Sequence, residues 1–126
     1  MFTDDCNLDG YDVIFGGIVC LKVYDTPKNW TDAKTTCEQD GGQLLVMRTS
    51  VFYLKREAYW IGGDDLTTEG EFKWIDGSDV ITQGWRSGQP SISNENCLEV
   101  LYLWFNDRSC ASRDVFLCEK PLLSLP

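Results

Sequence analysis

The chain has 126 residues, with 20 Asp and Glu against 11 Lys and Arg, a formal net charge of −9 and no histidine. That acidic balance argues against nucleic acid or anionic membrane as a partner, because both reward clusters of Lys and Arg. No stretch approaches the roughly 20 apolar residues that span a bilayer, and without histidine the Ser-His-Asp and Cys-His catalytic arrangements are excluded.

The length suits one domain with one sizeable core. Thr3-Asp4-Asp5, close behind Met1, gives no signal-peptide pattern, so the expectation is a mature chain with an added start codon. The apolar end, Pro121 to Pro126, is too short to cross a membrane and carries two prolines. Acidic residues are compatible with a hard cation held by carboxylate oxygens, and equally with a surface that is merely solvated.

In chain order, residues 11–24 are β-branched and aromatic and are broken by Gly16-Gly17, the pattern of a hairpin or two short strands around a turn. Thr26-Pro27 is expected to open a helix, since proline is tolerated in a first turn. Trp30, Ala33 and Cys37 recur at three- and four-residue steps and so share one buried face. Gly41-Gly42 ends that helix, glycine taking the left-handed cap without strain. The sequon Asn29-Trp30-Thr31 fits secretion. Leu44 to Met47 reads as a short strand and Ser50 to Glu57 as a brief second helix. Tyr59-Trp60-Ile61-Gly62-Gly63 reads as a buried strand running into a turn. From there to residue 96 the chain is rich in Gly, Ser, Thr, Asp and Asn, punctuated by Trp74 and Trp85. A long loop-rich stretch inside a small domain is usually functional. Strands return from Cys97 to Trp104 and from Asp114 to Glu119.

Cysteines stand at 6, 20, 37, 97, 110 and 118, with no close C-x-x-C pair. Finger or ribbon zinc sites therefore lack their usual ligands, and an even count reads as three disulfides formed in an oxidising compartment. Six cysteines allow 15 pairings, and spacing alone does not choose among them.

Several segments, in order, resemble the C-type lectin-like domain family: Trp30-Thr-Asp-Ala-Lys-Thr-Thr-Cys37 with Gly42-Gln-Leu-Leu45, and Tyr59-Trp60-Ile61-Gly62. They continue with Glu69-Gly-Glu-Phe-Lys-Trp74, Trp85-Arg-Ser-Gly-Gln-Pro-Ser91, Glu95-Asn-Cys97, Asn106-Asp-Arg-Ser-Cys110 and Phe116-Leu-Cys118-Glu. The resemblance covers about residues 6–119 and treats 1–126 as a single domain. It implies an α+β double-loop fold, with two helices flanking small antiparallel sheets, termini close together and a long ligand-binding loop. It also implies the long form's pairing, Cys6 with Cys20, Cys37 with Cys118 and Cys97 with Cys110, and makes most of the tryptophans core residues. One departure is the interval from Leu45 to Trp60, which is short for the family's second helix.

In calcium-dependent members the main site combines a tripeptide around a cis-proline, a downstream Glu and an Asn-Asp pair. The matching positions here are Gln89, Pro90, Ser91, Glu95, Asn106 and Asp107. Calcium takes about six to eight oxygen ligands in flexible geometry, and vicinal sugar hydroxyls complete its shell while hydrogen-bonding the same side chains. Ser91 departs from the usual Asn or Asp, and its short hydroxyl leaves a gap that a water can fill. Weak calcium binding, around 10⁻⁴–10⁻³ M, is therefore expected. Gln89 points towards galactose or N-acetylgalactosamine, but the following loop, Ile92-Ser93-Asn94, lacks the aromatic ring that galactose binders stack on the sugar. A second calcium site would use Asp65, Glu69 and the shared Glu95, but Ile92 replaces its remaining acidic ligand. Asp65 and Glu69 then have the alternative role of solvating the loop.

The resemblance thus implies a secreted, calcium-dependent carbohydrate-binding protein, not an enzyme, with innate glycan recognition as the family expectation. Dimerisation would raise avidity. The competing reading is a lectin-like module that binds protein, lipid or a mineral surface without calcium or sugar, in which Asn106-Asp107 merely makes a turn before Cys110. Asp64-Asp65, adjacent in a turn, suggest no acid and base division for a glycosidase.

Overall fold

Among the described residues, runs of β-branched and aromatic residues form eight strands around one helix. The computed structural model describes residues 11–14, 19–47, 58–80, 95–101 and 104–121. The strands are β1 (Asp12–Ile14), β2 (Val19–Lys28), β3 (Gln43–Leu44), β4 (Ala58–Asp64), β5 (Lys73–Trp74), β6 (Cys97–Leu101), β7 (Trp104–Arg108) and β8 (Asp114–Pro121), and the helix α1 is Trp30–Gln39. The main sheet runs β1-β2-β8-β4-β6-β7, with β3 paired to β8 and β5 to β4. Among the described residues the pairings are antiparallel except for a parallel match of Trp60 with Phe116. This is an α+β fold. The second helix expected at Ser50 to Glu57 lies outside the described residues.

The expected hairpin of residues 11–24 is β1 against β2, with Val13 opposite Cys20. β2 extends further than expected, through Thr26-Pro27 to Lys28, so that dipeptide does not open the helix. Its register against β8 shifts between Tyr24 and Lys28, and proline is tolerated where a strand is irregular because no ladder N–H is required there. The helix begins at Trp30, four residues later than Thr26. Asn29 is the cap, its Oδ1 accepting from the Asp32 amide at 2.8 Å.

Trp30, Ala33 and Cys37 form the buried face of α1. They pack with Leu44, Trp60 and Phe116 on one side of the sheet, while Ile61, Trp74, Leu98, Val100, Phe105 and Leu117 contribute to a second core. The helix ends where expected. Gly41 has φ 88°. Its amide bonds the Glu38 carbonyl at 3.0 Å and the Gly42 amide the Cys37 carbonyl at 3.0 Å, the reciprocal pair of a Schellman cap. Gly42 also lies against β8, where an added Cβ would come within 2.2 Å of the Glu119 carbonyl oxygen. Asp40, just past the helix, accepts from the phenols of Tyr11 and Tyr24, which ties the N-terminal hairpin to α1.

Leu44 to Met47 is all buried, but only Gln43–Leu44 is strand. The Val46 amide turns away from the sheet to the buried Glu119 carboxylate at 2.8 Å, which also accepts from Gln43 Nε2 at 3.1 Å. The stretch Cys97 to Trp104, read as one strand, is the first arm of a hairpin plus the first residue of its return. Two disulfides, Cys37–Cys118 and Cys97–Cys110, follow the expected pairing. Cys20 is also disulfide-bonded, and its expected partner Cys6 lies outside the described residues.

Candidate functional site

The β6–β7 hairpin stands at one end of the sheet, and β7 is its edge strand among the described residues. Cys97–Cys110 staples the hairpin's open end, with Cys97 opposite Arg108, Leu98 opposite Asp107 and Glu99 opposite Asn106. Asn106 and Asp107 are therefore strand residues and not a turn. They are buried, at 8% and 1% exposure. Adjacent strand residues project to opposite faces. Among the described residues β7 is the last strand of the sheet, so the side chains of both its faces border that edge.

Asn106 is held firmly. Its Nδ2 donates to Glu99 Oε1 at 2.7 Å, and Arg108 Nη1 bridges Glu99 Oε2 at 3.5 Å and Asp114 Oδ2 at 3.0 Å. Burial pushes the Glu99 carboxyl up to about 8, helped by its hydrogen bond to Asp114 and that group's charge and opposed by Asn106 and Arg108. With Nδ2 committed, the amide oxygen is left over. Asn106 Oδ1 is buried and has no hydrogen-bond partner among the described residues.

Asp65 follows β4 and is 3% exposed, so it does not simply solvate the loop. Its carboxylate accepts from the Gly70 amide at 2.8 Å and closes the turn. Its own amide bonds the Asn96 carbonyl at 3.0 Å, bringing the half-buried Glu95 and Asn96 alongside. Glu69 is exposed in the turn. Its carboxyl titrates above the ordinary range through desolvation, a hydrogen bond to Asp65, and the charges of Asp65 and Asp107. The Asp107 charge on β7 thus lies within electrostatic reach of Glu69 in the β4–β5 turn. Among the described residues no three acidic or cysteine side chains close a metal cage by themselves. The expected further donors Gln89 and Ser91, with Pro90 and Ile92, lie outside the described residues. The donors present are oxygens only, including one orphaned amide oxygen, and that chemistry fits calcium.

Asp64, the neighbour of Asp65, ends β4 and accepts from the Leu66 amide at 3.0 Å. Burial raises its pKa, assisted by Asp65 and opposed by the Leu66 hydrogen bond. It borders a cavity of about 380 Å³ lined by Lys34, Thr67, Glu71, Lys73 and Trp74, on the helix side of the same turn. No part of the sequence reading pointed to that cavity.

The family model for the lectin C-type domain matches residues 26–120. The chain belongs to the C-type lectin domain family. It is 32% identical over 114 residues to the C-type isolectin Sp-CL4 of Scorpaena plumieri, covering 78% of this chain and 78% of that protein. It is 31% identical over 114 residues to C-type lectin domain family 4 member M of Nomascus concolor, covering 81% of this chain but 29% of that longer protein. Among solved structures, the mouse scavenger receptor C-type lectin carbohydrate-recognition domain superposes with TM-score 0.78 at 29% identity, covering 92% of this chain and 97% of that one. A calcium-independent type II antifreeze protein superposes with TM-score 0.81 at 21% identity, covering 90% and 93%, a likeness of fold. C-type lectin domains are non-enzymatic binding modules, and the chain is not an enzyme. Among the described residues no helix is long and apolar enough to cross a membrane.

Proposed function

We propose that this C-type lectin domain binds carbohydrate through a calcium ion held by Gln89, Ser91, Glu95, Asn106 and Asp107. The observation that carries the reading is the buried Asn106 Oδ1 without a hydrogen-bond partner among the described residues, next to Asp107 on an edge strand. A buried polar atom left unsatisfied costs about 1–3 kcal/mol, and a hard cation is the partner whose binding offsets that cost. When bound, calcium supplies open positions for two vicinal sugar hydroxyls. Asn106 presents its oxygen because Glu99 fixes its amide, Asp107 and Glu95 supply negative charge, and Gln89 supplies a carbonyl oxygen.

Asp65 and Glu69 stay secondary. Asp65 is used in closing its own turn, and Ile92 cannot ligate. The whole chain, 1–126, is read as one secreted domain, with galactose-type sugars favoured by Gln89 and homodimerisation as its route to avidity. Innate recognition of glycans is the role proposed with it, an extension to this chain of the carbohydrate recognition named for the mouse scavenger receptor domain.

A second reading, a protein-, lipid- or mineral-surface module without calcium, draws on the Glu99 bond. That bond takes one of the two Nδ2 hydrogens that a sugar hydroxyl could use. Ser91 points the same way. A glycan array probed in millimolar calcium, repeated after chelation and with Asn106→Ala, separates the readings. The expected result is binding that vanishes with chelator and falls about tenfold or more in the variant. Binding that survives both treatments would contradict the calcium site, and no glycan binding under any condition would favour the surface module.

A further inference from the structure

Trp30, Trp60 and Trp74 are buried at 3%, 0% and 5% exposure, whereas Trp104 is 54% exposed at the start of β7. A bare indole on an edge strand is a liability, because edges offer unpaired backbone groups to other chains. The strand does not need it for packing either. The next residue, Phe105, supplies the core contact, edge-on to Trp74 with ring centroids 5.7 Å apart.

Its placement gives it a use. Strand side chains alternate, so Trp104 shares a face with Asn106 and Arg108, and across the hairpin with Leu101, Glu99 and Cys97. Trp104 stands two residues from Asn106, about 6–7 Å along the strand, within reach of a sugar ring held at that amide. Its cross-strand partner Leu101 is half-buried and apolar. Arg108, on the other side of Asn106, is already engaged with Glu99 and Asp114. Among the described residues the face therefore carries an exposed aromatic beside a buried polar anchor, the pairing by which small polar ligands with an apolar side are oriented.

We propose that Trp104 is the platform on which the sugar ring stacks, and so a residue that sets specificity; this rests on the calcium-dependent reading above. Galactose-type pyranosides present a continuous patch of C–H groups on one face, which is the surface an indole covers best. Trp104 thus supplies, from β7, the aromatic surface that Ile92-Ser93-Asn94 lacks.

The test compares wild type with Trp104→Ala and Trp104→Phe by calorimetric titration. Calcium is titrated alone, and then methyl β-galactoside or methyl α-mannoside in saturating calcium. Calcium affinity and melting temperature are expected to stay unchanged. Galactoside affinity should fall about tenfold in W104A and be largely retained in W104F. The galactoside's quenching of tryptophan fluorescence should be lost in W104F. W104A binding galactoside as tightly as wild type, with calcium binding intact, would remove the platform and leave the calcium site standing. A wild type that takes neither calcium nor either sugar would overturn the underlying reading and the platform with it.

Discussion

Asn106 shows how much a single amide depends on its neighbours. Glu99 holds its Nδ2 at 2.7 Å, and Arg108 and Asp114 hold Glu99 in turn. Folding lifts the Glu99 pKa from 4.5 to about 8. Between those values the folded chain keeps a proton that the unfolded chain has released, so stability falls as pH rises through that window. In chelator, the urea midpoint of wild type is expected to decline from pH 5 to pH 8. Glu99→Gln, which keeps an acceptor for Asn106 but cannot ionise, should flatten the decline. Identical slopes in both proteins would show that Glu99 carries no such proton. The sequence pointed to Asn106, Asp107 and Glu95 through the family's motif. It could not point to Glu99, whose role depends on the β6–β7 register that sets it opposite Asn106. Trp104 was missed for a related reason. Only once β7 is known to begin at Trp104 does alternation place it on Asn106's face and leave Phe105 for the core.

Elements were legible where local chemistry agrees with tertiary packing. The buried stripe Trp30, Ala33, Cys37 and the Gly41-Gly42 stop both follow from spacing and backbone freedom, and both are present. Thr26-Pro27 misled because proline suits a helix's first turn and an irregular strand equally, and long-range pairing with β8 decides between them. Leu44 to Met47 misled in the same way. Its apolar run is buried as expected, but the strand ends early because a carboxylate 73 residues away takes the Val46 amide. Glu119→Ala would remove the carboxylate acceptor of the buried Val46 amide and of the half-buried Gln43 side chain. A loss of about 1–3 kcal/mol in denaturant unfolding is expected, and a loss below about 0.5 kcal/mol would mean that water replaces the carboxylate.

At the scale of the whole molecule, one sheet joins the N-terminal hairpin, the helix-bearing middle and the edge strand that carries the candidate site. The resemblance expects the site on residues 89–107, of which the described residues include Glu95, Asn106 and Asp107. Calcium that binds only the native state must stabilise it. The most direct measurement is the melting temperature of wild type and Asp107→Asn, each in chelator and in ~10 mM calcium. At a dissociation constant near 10⁻⁴–10⁻³ M, that concentration stabilises the native state by roughly 1.4–2.7 kcal/mol. A rise of several degrees is expected in wild type and little or none in the variant. Equal melting temperatures with and without calcium in wild type would contradict the site, and an equal rise in both proteins would place the ion elsewhere.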